Sequence, residues 1–114
     1  MKFRFAFNGF FHALRNEFHM KVHVISAILV CLAGVYLGVT KTEWVALVIC
    51  IGVVLMAEIF NSAIETLCDT LHPDQHPGIG LTKDMAAGGV LLASLASAVV
   101  GLVVFVPYVL ALFH

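Results

Sequence analysis

Glu58, Asn61, Glu65 and Asp69 stand at i, i+3, i+7 and i+11 in the stretch Glu58-Ile-Phe-Asn-Ser-Ala-Ile-Glu-Thr-Leu-Cys-Asp69. On a continuous helix, at about 100° per residue, they fall within an arc of about 80°. Three acids and an amide therefore share one stripe. The stripe follows directly on an uncharged run, Trp44 to Ala57, so the helix that carries it is emerging from a bilayer. An acid at the centre of a membrane helix costs roughly 2.5–3.5 kcal/mol on insertion scales, and less near its end. Such a stripe needs partners. Metal ions, phosphates or a substrate hydroxyl would serve.

The remaining polar residues divide around it. Glu17 sits just before the first long apolar run, and Glu17 and Glu65 are placed to meet as a carboxylate pair. Magnesium is commonly held by one or two carboxylates together with substrate phosphates. Glu58 lies deepest toward the apolar run, where scarce water suits a general base acting on a lipid hydroxyl. Lys83 can neutralise phosphate charge. The plain alternative is that these groups only pair with one another, and for Asp74 it is the leading expectation. Glu43 is expected to be a solvated turn residue.

His72 and His76 flank Asp74, but Pro73 and Pro77 break helical spacing and no cysteine is near, so a transition-metal site is not expected. His12, His19 and His23 are expected as interfacial polar residues. Cys31, Cys50 and Cys68 have no paired spacing and are expected as small buried apolar residues. Neither a Gly-x-x-x-x-Gly-Lys-[Ser/Thr] loop nor a Gly-x-Gly-x-x-Gly turn occurs, so any nucleotide site must be built otherwise.

The elements that must position these groups are set by composition. Of 114 residues, 61% are hydrophobic and 11% charged, with a mean hydropathy of +1.04. That lies far outside the range of soluble domains. Val24 to Thr40 and Met85 to Phe113 are further uncharged runs, of 17 and 29 residues. The expected architecture is all-α: an N-terminal interfacial helix over 1–22 and three transmembrane helices over 23–40, 44–71 and 83–113, in one domain. In the first segment Phe3, Phe7, Phe10, Phe11, Leu14 and Phe18 recur at helical spacing, with Arg4, Asn8, His12, Arg15 and His19 on other faces. This pattern fits a helix lying in the membrane interface.

The prolines and glycines between Leu71 and Thr82 predict a loop, with the last helix opening at Lys83-Asp84 and Thr82 as a possible cap. Gly89, Ala93, Ser97 and Gly101 form a small-residue stripe suited to close helix contact, within the chain or between copies. Lys2, Arg4, Arg15, Lys21 and Lys83 fall on one side of three spans, and only Lys41 on the other. That asymmetry predicts a cytoplasmic N-terminus and a cytoplasmic acidic stripe in the cell membrane. A net charge of −1 gives no reason to expect a nucleic-acid partner.

The motif Glu58-x-x-Asn61-Ser-Ala-Ile-Glu65-x-x-x-Asp69, followed by Lys83-Asp84-Met-Ala-Ala, closely resembles the prokaryotic diacylglycerol kinase family, which includes the undecaprenol kinases. The likeness extends to Gly9 through Glu17 and to the His76-Pro77 loop. It implies an ATP- and magnesium-dependent lipid kinase, assembled as a homotrimer with active sites shared between subunits. It implies Glu58 as the base that activates the lipid hydroxyl, with Ala57 and Phe18 beside the lipid substrate. Glu17 and Glu65 match metal-binding glutamates. Phe5, Glu17, Asn61, Glu65, Asp69, Asp74, Gln75, His76, Lys83 and Asp84 match positions around the nucleotide. Phe5 and Gln75 stand where tyrosines are common, and Thr82 where alanine is usual.

The segment Asn16-Glu-Phe-His-Met-Lys-Val-His23 resembles the undecaprenol kinases, so undecaprenol is the expected acceptor and diacylglycerol the alternative. Two other classes compete. An ion or proton carrier would spread acids through the bilayer depth, yet the first and third apolar runs hold none. A nonenzymatic membrane subunit would have lost a core acid, yet Glu17, Glu58, Glu65 and Asp84 are all present.

Overall fold

Four helices follow one another in the computed structural model, which describes residues 2–74 and 76–114. They are α1 (Lys2–Asn16), α2 (Phe18–Leu37), α3 (Lys41–Leu71) and α4 (Pro77–Leu112). The last three are each long and apolar enough to cross a membrane. Large apolar side chains point outward along all three, among them Leu32, Val48 and Leu92. Hydrocarbon, unlike water, imposes no penalty on such a surface.

The helix boundaries differ from those expected, and each shift has a local cause. The first break falls at Glu17, whose backbone is extended (φ −108°, ψ 118°). The segment 18–22 therefore belongs to α2 and not to the N-terminal helix. Met20, fully buried, supplies the apolar anchor that draws this turn into α2.

Gly38 ends α2 in the left-handed conformation at φ 70°, which a side chain would resist. Its N–H and that of Val39 both donate to the Gly34 carbonyl, at 3.0 and 3.2 Å.

α3 begins at Lys41, ahead of the expected residue 44, because Thr40 and Glu43 form a capping box. The Thr40 N–H donates to Glu43 Oε1 at 2.8 Å, and the Glu43 N–H donates to Thr40 Oγ1 at 3.2 Å. Glu43 is thus no solvated turn residue. It also accepts a hydrogen bond from the Tyr108 hydroxyl of α4.

α4 begins at Pro77, not at Lys83. Proline lacks an N–H that the first helical turn would leave unpaired anyway, and its fixed φ suits that position. His76 is the cap, its Nδ1 accepting from the Gly78 N–H at 3.1 Å. Thr82 does not cap the helix; its hydroxyl donates to the Gly78 carbonyl at 2.9 Å.

α3 packs most extensively along α4, and α2 lies against α3. Val39, Leu47 and Val104 form a small core at the end remote from the acidic stripe, flanked by Trp44, Phe105 and Tyr108. Gly34 admits the Trp44 ring: a Cβ there would lie 2.7 Å from Cη2. Along the small-residue stripe of α4, Ser97 donates to the Cys50 carbonyl at 3.4 Å. Gly89 and Gly101 face open space within the chain. Cys68 is buried, while Cys31 and Cys50 are half-buried.

Candidate active site

The acidic stripe of α3 passes from interior to surface along its length. Glu58, Asn61 and Ser62 are buried, Glu65 is half-buried and Asp69 is exposed. This gradient follows from where α3 is packed. Its middle lies among the other helices, whereas its last turns approach the α3–α4 link and the surface.

Glu58 is the most buried ionisable group, at 3% exposure. A carboxylate taken out of water is costly unless it is paired. His23 of α2 supplies the partner: its Nε2 lies 3.6 Å from Glu58 Oε2. Glu17, His19 and Glu65 are also near enough to act on Glu58 by charge. The break between α1 and α2, the first turn of α2 and the acidic stripe therefore converge on one place. Glu17 occupies the cap position of α2, but its side chain makes no capping hydrogen bond and is free for another role.

Beside Glu58 and His23 runs an apolar groove of about 420 Å³ between α2, α3 and α4. Val22, Val30, Ile51 and Phe105 form part of its wall, and His23 is the lining residue that also touches Glu58.

A second cleft, of about 570 Å³, lies farther along α3 where it turns into α4. Asp69, His72, Asp74, His76 and Lys83 line it. Lys83 pairs with Asp69 across the two helices. His72 and His76 stand with ring centroids 5.2 Å apart. Five ionisable side chains line this cleft, in contrast to the groove near Glu58, where His23 is the one lining histidine and no acid or lysine takes part.

Asn61 Oδ1 and Ser62 Oγ are buried with no hydrogen-bond partner among the described residues. Buried polar atoms are nearly always satisfied, so each of these acceptors is available to something outside the chain.

Not every expected residue is drawn in. Phe5 is 65% exposed on α1 and Phe18 is 72% exposed at the start of α2. Asp84 is exposed on the second turn of α4, and Ala57 is half-buried next to Glu58. Gln75 lies outside the described residues. No group of three or more His, Cys, Asp or Glu gathers in metal-binding geometry among the described residues. Glu17 and Glu65 still offer the hard oxygen donors that magnesium prefers, in the number it takes from protein when phosphates complete its shell.

His23 is the site residue that the sequence pattern hid, having been grouped with the interfacial histidines. It lies 35 positions before Glu58, on another helix, so no periodicity along α3 could reveal it. The only signal in the chain was its place at the end of the Asn16–His23 segment.

A multi-pass membrane protein with a buried carboxylate near an apolar groove, and a cleft lined by ionisable groups farther along the same helix, has the form of an enzyme working on a lipid at the membrane edge. Residues 4–105 match the prokaryotic diacylglycerol kinase family. The chain is 30% identical over 102 residues to the undecaprenol kinase of Bacillus subtilis, covering 90% of this chain and 83% of that protein. It is 29% identical over 113 residues to the diacylglycerol kinase of Synechocystis, covering 98% of this chain and 65% of that protein. A diacylglycerol kinase of Haemophilus influenzae is 27% identical over 90 residues, covering 79% of this chain and 76% of that protein. The chain belongs to the prokaryotic diacylglycerol kinase family, and it is a lipid kinase.

Proposed function

We propose that the chain transfers the γ-phosphate of ATP to the hydroxyl of a membrane lipid alcohol, with undecaprenol as the preferred acceptor. The observation that carries this reading is the burial of Glu58 against His23, a residue that lines an apolar groove. A carboxylate in that position meets a hydroxyl presented from hydrocarbon, while the polar cleft around Lys83 suits a nucleotide arriving from water.

The transfer follows from the residues in sequence. Glu58 takes the proton of the lipid hydroxyl as its oxygen bonds to the γ-phosphorus. The bond from that phosphorus to the β–γ bridging oxygen breaks, and its electron pair leaves with ADP. Phosphoryl transfer demands positioning and charge neutralisation more than covalent chemistry. Lys83 releases Asp69 to meet phosphate oxygens, and Asn61, Asp69, Asp74 and His76 border the nucleotide; for Phe5, Gln75 and Asp84 the family resemblance is the support. Glu17 and Glu65 would hold magnesium, which when bound offsets phosphate charge. Ala57, next to Glu58, flanks the lipid headgroup, and for Phe18 the family resemblance is the support.

The site faces the cytoplasm, where ATP is available, as the distribution of Lys and Arg supports. α1 lies in the interface with Phe3, Phe7 and Phe11 in the bilayer, supported by their outward exposure. Assembly is a homotrimer. Open space at Gly89 and Gly101 gives a neighbouring helix a place of close approach.

Undecaprenol is favoured by the Asn16–His23 segment and by the similarity to the Bacillus subtilis undecaprenol kinase. Diacylglycerol is the second reading, favoured by the similarity to the diacylglycerol kinases. The deciding experiment offers each lipid separately in mixed micelles with γ-labelled ATP and magnesium. Preferential labelling of undecaprenol supports the first reading, preferential labelling of diacylglycerol the second. No labelling of either by folded protein refutes both.

A further inference from the structure

We propose that His23 is a positioning residue for Glu58, holding one carboxylate oxygen so that the other is left to face the acceptor hydroxyl. The inference rests on the proposed role of Glu58 as base, and it names the group that makes this role possible.

Among the described residues His23 is the only basic side chain within 4.0 Å of the Glu58 carboxylate, at 3.6 Å. The pair is unequal in burial: the Glu58 side chain is 4% exposed and that of His23 20%. Glu58 thus depends on His23 for compensation, whereas His23 keeps an edge outside the contact. At that separation the two form an ion-pair contact and not yet a hydrogen bond; with its proton on Nε2, the ring has a donor to offer Oε2. Catalytic hydrogen bonds are often long before substrate binds and tighten in the complex, and 3.6 Å fits that state.

The ring also lines the apolar groove, so a lipid occupying that groove touches the residue that contacts Glu58. A carboxylate fixed at Oε2 has only Oε1 free to take the proton. An unfixed one would rotate, and fewer encounters would be productive. His19, one turn earlier on α2, acts on Glu58 by charge but does not reach it, so the positioning role falls to His23.

The test uses the full chain in mixed micelles with whichever lipid the native protein labels, and compares His23→Leu, His23→Gln and His23→Asn. Gln retains an N–H of comparable reach, while Asn is too short. Turnover in Leu and Asn should fall roughly 10- to 100-fold, the scale of losing a hydrogen bond to a charged group. Affinity for magnesium-ATP should stay unchanged, and Gln should recover most of the turnover. Thermal unfolding identifies any variant that fails to fold, and the Gln–Asn comparison still decides the matter if Leu does not. Native turnover in Asn, or equal loss in folded Gln and Asn, overturns the proposal. A native protein that labels no lipid overturns the kinase reading instead, which keeps the two failures distinct.

Discussion

Lys83 on α4 donates to the carboxylate of Asp69 on α3, fourteen residues earlier, and so ties together two walls of the polar cleft. Both side chains are partly in solvent, at 33% and 63% exposure, so the pair is a weak lock. A triphosphate competes readily for such a lysine. Lys83→Gln should therefore lower kcat/KM for ATP by at least about tenfold while leaving the fold intact. Asp69→Asn, which frees the lysine, should cost far less. Steady-state kinetics with ATP varied would separate them, and equal effects would argue that the pair matters only for structure.

Glu58→Gln preserves the shape of the buried side chain and removes its basicity. Turnover should drop by about 10²–10⁴-fold, the usual scale for a lost general base. ATP binding, measured by calorimetry, should be largely unaffected. Substantial remaining turnover would remove Glu58 from the role of base.

Glu65→Gln should weaken binding of magnesium-ATP by about tenfold or more, as loss of a metal ligand or its support does. Titrating magnesium at fixed ATP reads the effect directly. An unchanged magnesium dependence would mean that Glu65 does not ligate the ion.

Gly34→Leu tests the opposite end of the molecule. The Trp44 ring occupies the space that a Cβ would need, with Cη2 only 2.7 Å from it. Overpacking of this kind costs about 1–3 kcal/mol. Leu is the sharper probe than Ala because it puts three more carbons into that space, while either residue returns up to about 1 kcal/mol of helix propensity over Gly. Thermal unfolding in detergent should show the loss, and emission from Trp44, the single tryptophan, should shift. Native unfolding with native emission would contradict this packing.

The acidic stripe was legible because Glu58, Asn61, Glu65 and Asp69 sit on one helix, where spacing alone fixes the face they share. Three apolar runs likewise announced three long helices. The ends of those helices were less legible, since caps depend on short-range bonds. Pro77 looked like a breaker and proved to be a starter, with His76 as its cap. Glu43 looked like a turn residue, yet Thr40 and Tyr108 give it three hydrogen-bonded contacts. The His23–Glu58 pair was beyond reach, because the approach of α2 to α3 is a tertiary event with no periodic trace in the chain.

The bond from Tyr108 to Glu43 has a mechanical consequence. It clasps α3 and α4 together far from the polar cleft, beside the small core of Val39, Leu47 and Val104. From Glu43 to Asp69 α3 runs about 39 Å at 1.5 Å per residue. The short link between Leu71 and Pro77 joins the two helices at the other end, so only small tilts about the clasp are open to them. A tilt of about 3° at the clasp parts the far tips by about 2 Å over that length. A flexing of that size is enough to break the Lys83–Asp69 contact and leave the lysine free to meet a phosphate.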